Sequence, residues 1–97
     1  MQLQDLLGQV GLTDTQSKDI ASIIQAEKSK VASLKKRIDE NWNDLMRVSF
    51  AAQFNLSMYN TSIDRLSVLN KQVIMAHGQM LRDISAKLTK TGFRLRF

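Results

Sequence analysis

The sequence predicts an all-α protein, a long antiparallel helical hairpin with a short N-terminal helix. Three observations carry that prediction. Two long stretches repeat apolar side chains at helical spacing, one short break ("SFAAQFN", residues 49–55) separates them, and nowhere does the strict alternation of a half-buried strand appear. Zero Pro and only 4 Gly among 97 residues leave little else to interrupt a helix.

Taken in order, Leu3, Leu6, Leu7 and Val10 fall at i, i+3, i+4 and i+7, which predicts a short helix within residues 1–11 that Gly8 weakens and Gly11 ends. "GLTDTQ" follows. Thr13 at the N-cap and Gln16 three residues on have the form of a capping box, so a helix starts here. Leu12, just before the cap, would ordinarily pack on the fourth helical residue, but that is Ser17, so Leu12 must find its apolar partner in another element. Ile20, Ile24, Val31, Leu34, Ile38, Trp42, Leu45 and Val48 then recur close to a 3.5-residue period, predicting one helix over residues 13–48, roughly 50 Å long. After the break, Asn55 is a good N-cap, with Phe54 before it and Tyr59 after it placed to form a hydrophobic staple. The second helix is expected over 55–89, its stripe running Leu56, Tyr59, Ile63, Leu66, Val73, Met80 and Ile84. Asn70 and His77 stand where the same heptad predicts apolar residues; they read as polar seam residues that set register, or as residues at the seam edge. A basic tail, 90–97, closes a single domain.

Two antiparallel helices make a thin object with apolar side chains left over: Met46 and Phe50 on the first helix, Met58, Val68 and Met75 on the second. A chain this short buries only roughly 60–65% of its unfolded surface, and with zero Cys it has no disulfides. A homodimer covering the second face is the expected remedy.

Composition excludes more than it names. The balance of 14 Lys+Arg against 9 Asp+Glu gives a net charge of +5, which favours anionic or acid-rich partners. No apolar run approaches the length of a membrane span. "MQLQDLLGQVG" lacks the basic leader and continuous apolar core of a signal peptide, so a signal, if the protein is exported, is expected to have been removed upstream of residue 1. Catalytic machinery is missing: there is no phosphate-cradling glycine loop, no serine-centred glycine elbow, and the single His has no paired nucleophile. The expectation is therefore no enzyme, no cofactor and no metal site, since a protein-only site would need carboxylates from several segments around His77. Asp39, Glu40 and Asp44 beside Lys35, Lys36 and Arg37 read as a solvated helix face. Nucleic acid is not expected as a partner, because the bases in "LKKRIDEN" are followed at once by acids and the aromatics are not interleaved with them. "NLS" and "NTS" at Asn55 and Asn60 match a glycosylation sequon by chance, both lying at or in a helix.

The Leu-Thr pair of the opening cap returns as Leu88-Thr89 at the far end of the second helix. Leu12-Thr13-x-x-Gln16 before one long helix, a bend, and Leu88-Thr89 closing the next resemble the bacterial periplasmic LTxxQ family, which includes Spy and CpxP and, more distantly, the metal-sensing CnrX and ZraP. Gly92 stands where the second motif carries Gln, and the His and Cys of the metal-binding members are absent. The resemblance implies a cradle-shaped dimer in the periplasm, with Leu12 and Leu88 as anchors and Thr13 as cap. It implies an ATP-independent stress-response chaperone for unfolded or acidic polypeptides, or a regulator of an envelope-stress sensor kinase; a cytoplasmic helical adaptor for one partner is the reading from another class. For a chaperone, Lys28, Lys35, Arg47, Arg65 and Arg82 would attract acidic segments, and the adaptable Met46, Phe50, Met58 and Met75 would hold them.

Overall fold

In the computed structural model, which describes Leu7 and residues 11–88, two long helices pack antiparallel: α1 (Asp14–Ser49) and α2 (Leu56–Leu88). Of the expected N-terminal helix only Leu7 is described, in helical backbone. Thr89 and the basic tail with Lys90, Arg94 and Arg96 lie outside the described residues.

Both helix starts form for the reasons their sequences give. The backbone N–H of Gln16 donates to Thr13 Oγ1 at 3.1 Å, and the Thr13 N–H donates to Gln16 Oε1 at 3.0 Å, a complete capping box. Thr13→Ala should therefore cost about 0.5–2 kcal/mol in a denaturant titration, by leaving a helix-start N–H unsatisfied. At the second start Asn55 Oδ1 accepts from the Met58 N–H at 3.0 Å, and the Phe54 and Tyr59 rings meet at a tilt of 60° with centroids 5.3 Å apart, fixing the angle at which the chain enters α2. Between them the chain leaves α1 through Phe50, whose N–H donates to the Met46 carbonyl, and turns over Ala51 to Asn55.

The two leucines of the Leu-Thr pairs come to one end of the hairpin. Ile20, Ile84 and Leu88 form a buried cluster at the open end of the hairpin, and Leu7, Leu12, Ile23, Ile24 and Met80 pack against it. Leu12, whose fourth helical residue is Ser17, thus packs against a cluster built from both helices. The Lys87–Asp19 ion pair, at 3.7 Å, crosses the same end.

Along the rest of the seam the structure corrects the heptad. Asn70 and His77 are exposed, and Leu69 and Ala76, at 4% and 5%, take the buried positions beside them. The edge reading of these two polar residues is the one the fold adopts. Leu66 and Val73 belong to either version of the stripe; what differs is whether Ile63, Asn70 and His77 or Ser62, Leu69 and Ala76 complete it. Burying an unpartnered amide and an imidazole costs more than exposing one isoleucine does, so Ile63 turns outward and Ser62 turns in. On α1 the same choice removes Trp42 from the core. Trp42 shares its line along the helix with Lys28 and Lys35 and is 54% exposed, while Asn41 is half-buried and donates to the Arg37 carbonyl.

Candidate functional site

With one side of each helix in the seam, the outer sides carry an unusual apolar load. Leu56, Ile63, Ile74 and Leu81 recur at steps that return to one side of α2 and are all exposed. Glu27 lies opposite His77 and Asp19 opposite Lys87, a register that brings Trp42 level with Ile63, so Trp42 and then Met46 extend this stripe across onto α1. Lys28 and Lys35 lie on the same flank. A second face of α2 is different in character: Met58, Val68 and Met75 alternate with Arg65 and Arg82, at steps of seven within each line. Phe50, the most exposed of the large apolar residues among those described, projects from the bend.

The nine residues expected to meet a polypeptide are all exposed, but they do not make one patch. Lys28, Lys35 and Met46 belong to the Trp42 flank. Met75 and Arg82 face outward from α2. Arg47, Met58 and Arg65 come together in a groove of about 440 Å³ beside the bend, which Val48, Ser62 and Asp44 also line. There Arg47 is held by Asp44, three residues before it, through Nη2 and Oδ1. A neighbouring groove shares Thr61 and Arg65 with the first and adds Arg37; the two lie side by side along this flank of the hairpin and together make up its trough.

Sequence reasoning missed two residues. The first is Ser62, 5% exposed on the seam and lining the trough, whose hydroxyl makes no hydrogen bond to any described residue. The second is Glu27, whose side chain is 10% exposed and whose Oε1 meets His77 Nδ1. That contact satisfies the carboxylate when Nδ1 carries a proton; with the proton on Nε2 the buried oxygen has no hydrogen-bond partner. Placing Glu27 four residues before Val31 and seven before Leu34 would have flagged it as a seam residue.

Among the described residues no three His, Cys, Asp or Glu side chains gather as a metal site would require, and no helix is long and apolar enough to cross a membrane. Comparison with family models, with curated proteins and with solved structures finds no match to this chain.

Proposed function

We propose that this chain is an ATP-independent holding chaperone that works as a homodimer and binds unfolded polypeptides on the outer face of α2. The observation that carries the proposal is the alternation of Met58, Val68 and Met75, each more than half exposed, with the exposed Arg65 and Arg82 on that face. Methionine adapts its shape to whatever apolar side chain it meets, and arginine attracts acidic segments from a distance, a combination suited to many sequences rather than one. The opposite stripe, Leu56, Ile63, Ile74 and Leu81 with Trp42, lacks interspersed arginine and suits a second copy, because a two-helix hairpin cannot cover it by itself. The LTxxQ resemblance favours the periplasm as the setting, and the packing of Leu12 against the cluster that holds Leu88 is compatible with the anchor roles that it implies.

The test is suppression of the aggregation of several unrelated denatured proteins, without ATP, at two salt concentrations. Raising salt from about 0.05 to 0.5 M shortens the Debye length from roughly 14 Å to about 4 Å. Electrostatic capture should weaken while the apolar contacts, set by burial, persist, so suppression should fall and remain measurable. Absence of suppression at low salt with near-stoichiometric protein would sink the chaperone reading. A compact monomer in sedimentation at micromolar concentration would remove the dimer from it.

A further inference from the structure

We infer that the trough beside the bend is a specific seat for an acidic, extended polypeptide segment, with Arg65 and the Ser62 hydroxyl as its carboxylate contacts. The inference rests on the polypeptide-binding reading and adds where and by what chemistry a segment is engaged first.

Three observations meet here. Arg65 lines both parts of the trough and makes no ion pair among the described residues, whereas Arg47 beside it is already held by Asp44. A guanidinium in a groove with aliphatic walls, here Val48 and Met58, is matched by a carboxylate that can take two parallel N–H donors, while the neighbouring aliphatic part of the segment covers the walls. Ser62 supplies the second, independent observation. A hydroxyl on a residue buried to this degree usually has a partner, often the carbonyl one turn back, as Thr61 Oγ1 has in the Ser57 carbonyl at 2.9 Å. Ser62 makes no such bond among the described residues and lines the groove, so its donor is available to a group seated there. The start of α2 contributes in the same sense: Asn55, Ser57 and Met58 also line the groove, and the positive end of a helix dipole favours an anion.

Charge and size set the class of ligand. Arg37, Arg47 and Arg65 outnumber the two acids of the trough, Asp44 and Asp64, and Asp44 is engaged by Arg47. A groove of about 440 Å³, continued by one of about 370 Å³, takes a few residues of extended chain rather than a folded surface. An acidic side chain flanked by aliphatic ones is what fits.

The experiment uses the full chain and a fluorescein-labelled peptide in which glutamates are interspersed with leucine, alanine and serine. Its twin carries glutamine for every glutamate. By anisotropy at low salt the acidic peptide should bind and the twin should bind at least about tenfold more weakly. Arg65→Gln should weaken the acidic peptide by about tenfold, and Ser62→Ala by about threefold without lowering the melting temperature, since a hydroxyl with no partner contributes nothing to the free protein. Lys18→Gln, exposed near the start of α1 and lining neither groove, should leave binding unchanged. Equal binding of the acidic peptide by wild type and Arg65→Gln, or equal binding of both peptides, overturns the inference. Running the aggregation assay on the same proteins separates the two proposals. Suppression with peptide binding indifferent to Arg65 refutes the seat and keeps the chaperone; peptide binding lost with Arg65→Gln in a protein that suppresses nothing keeps the seat and refutes the chaperone. Displacement of the acidic peptide by single-stranded nucleic acid at equal charge concentration, with no displacement by an acidic polypeptide, also overturns it.

Discussion

Ile84→Ala should destabilise the protein by about 2–5 kcal/mol, the range for deleting most of a buried aliphatic side chain and leaving a partly collapsed cavity. Ile84 is the most buried large side chain of the hairpin, 2% exposed, and it belongs with Ile20 and Leu88 to the cluster that closes the open end. At the other end the bend joins the helices covalently; here packing has to hold them. The loss is large against a total of roughly 5–15 kcal/mol for a folded domain, so a urea titration should show a much lower midpoint or no cooperative transition at all. Met75→Ala, on the exposed outer face, is the control and should change stability by no more than about 0.5 kcal/mol. An Ile84→Ala midpoint as little shifted as that of the control would mean that the open-end cluster contributes little to the fold.

Glu27→Leu should raise stability by about 1–2 kcal/mol, the opposite sign from most core substitutions. The carboxylate occupies a seam position between Ile24 and Val31, its side chain 10% exposed, with His77 as its partner. Taking a carboxylate out of water costs several kcal/mol, and an imidazole that is itself 52% exposed offsets only part of it. Leucine at that place would meet Ala76 and Met80, which line the same groove as Glu27, and would remove the cost. His77→Ala in the otherwise unchanged chain should lower stability by about 1 kcal/mol, because it strands the buried oxygen. In the Glu27→Leu background the same change should be close to neutral, and that difference is the coupling energy of the pair. Destabilisation by Glu27→Leu would show that the pair contributes more than its desolvation costs.

These two residues mark how far the sequence could be read. The caps at Thr13 and Asn55, the Phe54–Tyr59 staple and the bend depend on side chains within four or five positions of one another, and a local pattern determines them because the interactions are local. The two long helices and their antiparallel return follow from the same kind of information. Leu12 could be recognised as lacking a local partner, although the cluster it packs against draws Ile84 and Leu88 from the far end of the sequence. The candidate polypeptide-binding residues were legible as exposed side chains, but not as a surface. Helical spacing assigns each to a line on its own helix; only the register between helices gathers Arg47, Met58 and Arg65 into one trough and sends Lys28 and Lys35 to the other flank.

Which apolar stripe becomes the seam was decided by the tertiary structure alone. On each helix one line of residues, Val31 and Ile38 on α1 and Leu66 and Val73 on α2, is common to two overlapping stripes, and hydrophobicity along a single helix ranks those stripes nearly equal. The balance is struck over both helices at once. Burying Leu69 and Ala76 keeps Asn70 and His77 in water, at the expense of exposing Ile63 and enclosing Ser62; burying Leu34 keeps Lys35 in water, at the expense of exposing Trp42 and enclosing Glu27. Sequence by itself determined the two helices, their caps and the bend, because those are settled by near neighbours. The tertiary structure decided which sides face inward, because the cost of burying a polar group depends on what the other helix sets against it.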